Sequence, residues 1–408
     1  MNEAHCRFTH FQGKRIHLGV CGSVAAFRAV DLLRWWLKAG MGVSATLTPG
    51  ARRFIAPLTF EALGAAPVYG DMFSAEGPFG HLEPGQTAHA MVIAPATAAT
   101  LARLAHGMAD DMLACQALAF AGPLVVAPAM NPHMWDNPAT RANVEILRQR
   151  GVRLVLPGVG GTACGDEGQG RLADLRDIWM ASLRALAPQD MAGLRVMVTL
   201  GPTREQWDAV RFWSNPSTGT MGAALALAAW LRGADVDAVC GPCAGGVPWL
   251  PAGIRQHAVV SAAQMFDAAA ALWPHMDMGM FTAAVADFAP EPFGPEKFKK
   301  HTSGEGFALR FTPNADILKT LAQRRTPQQK LLGFAAETAE DMPAAVAVKL
   351  RSKGADIIAG NRIGQEGSGF ASATNGMCIA DRNGRTAQWP SQSKADVAWK
   401  LCSWLLEL

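Results

Sequence analysis

The stretch IHLGVCGSVAA (16–26) decides the fold of the first half: a six-residue apolar run, a turn carrying Gly22 and Ser23, and then a helical pattern from Val30 to Lys38. Working outward, the same rhythm recurs as VSATL (43–47), MVIA (91–94) with a helix behind it, LVVA (124–127) and VRLVLP (152–157). It restarts with RVMVTL (195–200), a helix over 219–232, VDAVC (236–240), a helix over 262–272, MGMFTAAVA (278–286), LLGFAAE (331–337) and DIIAG (356–360). Strand and helix alternating in this way predict α/β domains, each wound on both faces of a mainly parallel sheet. Each half opens with a strand running into a Gly-containing turn. Such sheets bind ligands there, beyond the carboxyl ends of their strands.

The chain has 408 residues, enough for two or three domains with cores of their own. Half of the residues are hydrophobic and 17% are charged, which excludes wholesale disorder. A formal charge of +3 without a basic stripe gives no footprint of nucleic-acid or anionic-membrane binding. The N-terminus lacks the pattern of a signal segment, and no apolar run reaches the roughly 18 to 20 residues of a membrane span. Eight scattered cysteines therefore read as reduced thiols in the cytoplasm. The expected organisation is a loose tail at 1–14, a first domain over 15–187, a linker at 188–193 and a second domain over 194–408. The stretch from Pro290 to Gly306 is too long and polar for a simple connector and reads as a functional flap.

In the 22–26 turn, small residues let backbone N–H groups and the Ser23 hydroxyl approach a phosphate at the start of a helix. A tight turn alone explains the same glycines. The turn is not G-x-G-x-x-G, and no G-K-[ST] occurs anywhere, which argues against P-loop chemistry. More specific are Gly80-His81-Leu82, Ala94-Pro95-Ala96-Thr97, the run Pro128-Ala129-Met130-Asn131-Pro132-His133-Met134-Trp135, and the Gly-rich loop 163–171 containing Cys164. Each follows a predicted strand or sits in the loop beyond one. Taken singly, Cys164 reads more readily as an inert buried thiol than as an acid, and His81 reads equally as a surface histidine.

Together these motifs resemble the flavin-dependent cysteine decarboxylases, whose P-x-M-N-x-x-M-W pattern is matched without a gap; the likeness spans about residues 15–185. The resemblance implies a Rossmann-like, flavodoxin-like domain that binds FMN through Gly22, Ser23, Thr48, Pro95, Ala96 and Thr97. It implies substrate contacts from Met130 and Asn131, His81 as base and Cys164 as the acid of the final reduction. Pro84, His89 and Ala99 depart from the usual residues of that family.

The second half carries Thr203-Arg204-Glu205, Arg211, Asn215 and the helix entry Pro216-Ser217-Thr218-Gly219-Thr220-Met221-Gly222, a plausible anion site. Ala283 to Phe288, the lysines 297, 299 and 300, Asn314 to Leu318 and Gly333 to Thr338 complete the set. It is similar to phosphopantothenate-cysteine ligases. In this order the whole chain resembles the bifunctional phosphopantothenoylcysteine decarboxylase and phosphopantothenate-cysteine ligase family of coenzyme A biosynthesis. The resemblance implies a nucleotide-binding ligase domain taking 4'-phosphopantothenate, cysteine and CTP with Mg²⁺, through an acyl-cytidylate. It assigns catalysis to Asn215 and Lys297 and substrate binding to Arg211. CTP falls to Phe281, Thr282, Ala283, Asp287, Lys297, Ala315, Asp316, Ile317, Leu318, Phe334, Lys349 and Lys353. It further implies trimeric flavin domains with sites at subunit boundaries and dimeric ligase domains.

Several readings stay open. Solvated surface charge explains the 297–300 lysines as well. Thr220 stands where relatives commonly carry Lys or Arg, which removes a charge beside a phosphate site. Cys240-Gly241-Pro242-Cys243 has redox spacing, but the Ala244–Pro248 sequence that follows cannot form the helix that would activate a thiol. A flavoprotein acting on another substrate, or as a regulatory subunit, is the alternative function.

Overall fold

A computed structural model describes residues 3–72, 79–161, 165–299, 306–362, 372 and 374–408. The chain divides into two compact units, Thr9–Pro188 and Gln189–Leu408, and the second also takes in residues 3–8.

The first unit is built on β1 (Arg15–Val20), β2 (Gly42–Leu47), β3 (Val68–Tyr69), β4 (Ala90–Ala96), β5 (Leu124–Pro128) and β6 (Arg153–Leu154), all parallel, in the order β3-β2-β1-β4-β5-β6. β1 and β4 are buried almost end to end, as central strands covered on both faces must be. The helix Arg28–Lys38 turns Ala29, Leu32, Leu33 and Trp36 onto the sheet at helical spacing. Trp36 stacks on Trp179 and donates its indole N–H to Ser182 at 3.0 Å. A hairpin of β7 (Gly158–Gly161) and β8 (Glu167–Arg171) follows the sheet. The strand order is that of dinucleotide-binding folds, so the Rossmann-like expectation holds, while the flavodoxin-like label differs in strand order.

The second unit repeats the plan. Around β9 (Arg195–Leu200), the hairpin β10 (Arg204–Gln206) and β11 (Phe212–Ser214) precedes β12 (Asp235–Cys240), β13 (Ile254–Ala258) and β14 (Met278–Phe281). β15 (Phe288–Pro290) and β16 (Phe311–Pro313) form a separate ribbon. After β17 (Lys330–Glu337) and β18 (Ile357–Arg362) come β19 (Thr374–Asp381) and β20 (Thr386–Ser393), which close the sheet as antiparallel strands. The order β13-β12-β9-β14-β17-β18-β19-β20 contains the same reversal of direction, here between β9 and β14. The helix Thr220–Leu231 is apolar on every side because every side is covered: sheet on one, the terminal helix Lys394–Leu406 on another. A Cβ on Gly222 would stand 2.4 Å from both Leu200 and Thr282, so glycine is what lets this helix enter directly over the reversal point.

Two expectations change. Residues 3–14 are not a loose tail. Phe8 packs edge-on against Trp399, the His5 ring is hydrogen-bonded to the Trp249 carbonyl at 2.9 Å, and Phe11 is buried. Apolar residues spaced among polar ones had hidden this segment's affinity for a core. The described part of the flap, in turn, is anchored: the β15–β16 ribbon ties its base, and Phe293, Phe298 and the adjoining Phe307 gather on Trp207, with Phe307 stacked at 5.3 Å. Its polar composition concealed Phe293 and Phe298.

Candidate active sites

In the first unit the carboxyl ends of β1 and β4 meet where the strand order reverses. Ser23 caps the 3₁₀ turn Val24–Phe27, accepting the Ala25 N–H at 3.3 Å. A Cβ on Gly22 would come within 2.9 Å of the Gly50 backbone, so both loops run past each other without side chains between them. Thr48 donates to the Val20 carbonyl at 3.3 Å, and Thr97 caps the helix Ala98–His106. Pro95 and Ala96 end β4 next to Cys21, whose N–H donates to the Pro95 carbonyl at 3.2 Å. Burial and the hydroxyl donor Thr100 act on the Cys21 thiol in opposite senses; burial dominates and pushes it up to about 11.

A cavity of about 640 Å³ opens beside this crossing, lined among others by Ser23, Arg28, Met130, Asn131, Gly161 and Arg171. The Asn131 carbonyl oxygen caps the short helix Pro132–Asp136 by accepting the His133 N–H at 2.8 Å, and its amide donates to Asp166. The β7–β8 hairpin holds the motif from behind: Met130 N–H donates to Gly170 O at 2.9 Å, and a Cβ on Gly170 would lie 2.4 Å from the Met130 carbonyl. Of the predicted residues, Ser23, Met130 and Asn131 line this cavity, whereas Gly22, Thr48, Pro95, Ala96 and Thr97 build the strand ends beside it. His81 stands outside the lining, on the turn before the helix Glu83–Thr87. Cys164 lies outside the described residues.

A buried polar network supports the His81 turn. Gln116 donates its amide to the Gly80 carbonyl at 2.9 Å and engages Thr46 and His17 through Oε1, at 2.6 and 3.1 Å. Burial lowers the His17 pKa to about 4. Nothing local in MLACQALA marks Gln116 as a support; its partners are brought to it by strand order.

In the second unit a cavity of about 490 Å³ lies over the carboxyl ends of β9, β14, β17 and β18. Eleven of the twelve residues assigned to CTP line it: Phe281, Thr282, Ala283, Asp287, Ala315, Asp316, Ile317, Leu318, Phe334, Lys349 and Lys353. The run Ser217 to Gly222 adds a helix N-terminus, and Thr220 is part of that wall. Asn215 also lines the cavity; its amide donates to the carbonyls of Ala284 and Val285, each at 3.2 Å. Lys349 pairs with Glu337 at 2.8 Å, and Lys353 with Asp316. Lys297 and Arg211 are not in the lining. They lie near each other, since the Arg211 guanidinium donates to the carbonyl of Phe298 at 3.3 Å and to Asp208 at 2.6 Å. Lys300 lies outside the described residues.

Cys240 and Cys243 are buried, and burial raises both thiols, Cys240 to about 12. Glycine at 201 and 219 makes room for the Cys243 sulfur, which would lie 2.9 and 2.8 Å from added Cβ atoms. This pair is packing, opposite in character to an activated dithiol.

Two α/β units, each with a ligand cavity at the reversal of its strand order, define a two-domain enzyme of the nucleotide- and flavin-binding class. Residues 7–186 match the Flavoprotein family, and residues 191–408 match the DNA/pantothenate metabolism flavoprotein C-terminal domain. The coenzyme A biosynthesis bifunctional protein CoaBC of Bacillus subtilis is 38% identical over 394 residues, 95% of each chain. That of Escherichia coli K12 is 37% identical over 376 residues, 91% of this chain and 92% of its own. Among solved structures, the C-terminal domain of a CoaBC protein superposes with TM-score 0.45 at 31% identity, covering 54% of this chain and 97% of that one. The FMN-dependent cysteine decarboxylase SpaF gives TM-score 0.38 at 36% identity, covering 43% and 98%. This chain belongs to the family of bifunctional coenzyme A biosynthesis proteins, in which a phosphopantothenoylcysteine decarboxylase half precedes a phosphopantothenate-cysteine ligase half. Among the described residues, no helix is long and apolar enough to cross a membrane.

Proposed function

We propose that the second domain joins 4'-phosphopantothenate to cysteine at the expense of CTP and that the first, holding FMN, decarboxylates the product to 4'-phosphopantetheine. The observation that carries this is the composition of the 490 Å³ cavity, where a helix N-terminus, two carboxylates and three lysines surround a slot walled by Phe281 and Phe334. In the ligation, a carboxylate oxygen of the acyl substrate attacks the α-phosphorus of CTP and pyrophosphate leaves. The cysteine amine then attacks the acyl carbon, CMP departs with the bonding pair, and the amine loses a proton. Charge builds on phosphoryl oxygens in the first step, where the 218–222 backbone and Lys297 act. Asp287 would suit a Mg²⁺ ion, which would supply charge neutralisation during activation, whereas both Asp316 oxygens are already engaged, by the Lys319 N–H and by Lys353. Asn215, anchored through its amide, keeps its carbonyl oxygen for the acyl-cytidylate.

The first unit fits FMN: the glycine crossing of Gly22 and Gly50 leaves backbone N–H groups and the Ser23 hydroxyl for a phosphate, with Thr48, Pro95, Ala96 and Thr97 beside it. Bound there, a flavin supplies the reversible two-electron oxidation of the substrate thiol that makes loss of CO₂ feasible. Asn131 and Met130 hold the substrate carboxylate, which leaves as CO₂ with its bonding pair left on the substrate; His81 takes up a proton and Cys164 returns one. Exposed Val24, Phe27 and Val159 on or beside the cavity support trimeric flavin domains, with His81 completing a neighbouring copy's site. Lys297 and Arg211, outside their own cavity, support dimeric ligase domains. The buried free cysteines support a cytoplasmic setting.

The test is mass spectrometry of products from phosphopantothenate, cysteine and each nucleoside triphosphate in turn. Amide product and CMP with CTP, then loss of CO₂, are expected; a triphosphate other than CTP working best would remove the CTP assignment. Absence of amide with all of them would remove the ligase.

A further inference from the structure

Tyr69 is the chain's one tyrosine, and it ends β3 at the edge of the first unit's sheet. Parallel pairing sets it beside Thr46, whose hydroxyl belongs to the buried network of His17 and Gln116. Its ring lies 5.9 Å from the His17 ring. The same ring meets Gly80, where a Cβ would stand 3.3 and 3.4 Å from the Tyr69 Cδ1 and Cε1 atoms. Glycine thus lets the ring lie against the backbone immediately before His81.

The hydroxyl end engages Glu83, two residues beyond His81 and the first residue of the helix Glu83–Thr87. Burial, the hydrogen bond to the Glu83 carboxylate and the charge of that carboxylate raise the phenol and outweigh the charge of Arg15, so the hydroxyl keeps its proton and donates it. Within the turn, the Leu82 and Glu83 N–H groups both donate to the Phe79 carbonyl, at 2.8 and 3.1 Å. From outside, Gln116 holds the Gly80 carbonyl at 2.9 Å, the Tyr69 ring backs Gly80, and the Tyr69 hydroxyl holds Glu83. A phenylalanine would fill the same space against Gly80 and His17. Packing alone therefore asks for no hydroxyl at 69, and what the hydroxyl adds is a tie across the turn.

We propose that Tyr69 is a positioning residue for His81: its ring and its hydroxyl grip the turn on either side of the histidine and fix where the imidazole stands. This deepens the decarboxylase reading and rests on His81 being its base. A base works only within hydrogen-bonding reach of the proton it takes, so a turn free to shift costs rate before it costs binding.

The test is decarboxylation of supplied phosphopantothenoylcysteine by the full chain loaded with FMN, in Tyr69→Phe, Glu83→Ala and the two combined, with His81→Asn as reference. Melting curves and bound flavin are read alongside. Tyr69→Phe keeps the ring, so melting, flavin content and ligase turnover should not move. Its kcat should fall about threefold to tenfold, the worth of one hydrogen bond, with KM unchanged. Glu83→Ala should show the same loss, and the combined variant no more than either, because both remove one contact. A packing role predicts full activity with phenylalanine, and unchanged kcat in Tyr69→Phe overturns the proposal. So does a loss matched by lost flavin or raised KM, which would make the hydroxyl part of the cavity's shape, and so do losses that multiply in the combined variant. Should Glu83→Ala not fold, Tyr69→Phe decides alone. His81→Asn turning over at the wild-type rate would remove the base reading itself, an outcome separate from any result at Tyr69.

Discussion

The carboxylate of Asp208 accepts the backbone N–H of Phe298 at 3.1 Å, joining the turn between β10 and β11 to the excursion that carries Lys297. The same carboxylate takes the N–H groups of Val210 and Arg211, at 2.8 and 2.6 Å, and the Arg211 guanidinium at 2.6 Å. Burial would raise this acid. The backbone donors and the Arg211 charge outweigh it and bring it to about 2.

Asp208→Asn should therefore release Phe298 and loosen the rings on Trp207. A group lowered in the folded state stabilises above its ordinary value near 3.8 and loses that contribution as pH falls through about 2. The pH profile of the excursion's order, read from Trp207 fluorescence, should show this loss in the wild type and not in the variant. Ligase turnover should fall by up to about 10²-fold, the cost of misplacing a catalytic group by an ångström. An unchanged emission spectrum would show that the tie carries no order.

Lys297→Gln should lower kcat of cytidylate formation by about 10²-fold or more, the range for one preorganised charge stabiliser. Decarboxylation of supplied phosphopantothenoylcysteine should be untouched. Near-normal ligation would mean that this exposed lysine is only a solvated charge.

Asn215→Asp would set a carboxylate against the Ala284 and Val285 carbonyls, which now receive its amide. Because Ala283 to Asp287 wall the nucleotide cavity, pyrophosphate release should drop together with amide formation. Loss of amide formation alone would place Asn215 at the acyl intermediate without a part in shaping the wall.

Gln116→Leu should strand the Gly80 carbonyl, at about 1–3 kcal/mol for a polar group left unpaired, while Thr46 and His17 keep each other and Ser44, and it should slow decarboxylation through the His81 turn. His17 adds a pH effect of known sign. Its folded value lies below the ordinary 6.5, so stability is full above that pH and is lost between 6.5 and about 4, by about 3 kcal/mol. Melting curves of wild type and His17→Leu over that window should converge on acidification; parallel curves would contradict the assignment.

The central parallel strands were legible because burial on both faces writes them as apolar runs: RVMVTL at 195–200 is β9 residue for residue. β13, β19 and β20 were not, since alternating or polar strands such as TAQWPSQS carry no such run. MGMFTAAVA, read as one strand to 286, ends at Phe281 because the next residues turn across the cavity. Local motifs recovered most of the nucleotide wall. Asp208 and Gln116 escaped because each acts across the fold, on partners that no spacing in the sequence announces.

The segment 3–8 belongs to the unit whose remainder begins at Gln189. The ligase half is thus an interrupted domain, with the flavin half inserted after its first few residues. Cutting at the 188–193 linker would not yield two intact enzymes: the released ligase would lose Phe8 from Trp399 and His5 from Trp249, uncovering indole surface on its terminal helix. Gene fission at the evident boundary would thus have to be accompanied by a replacement for that lost plug.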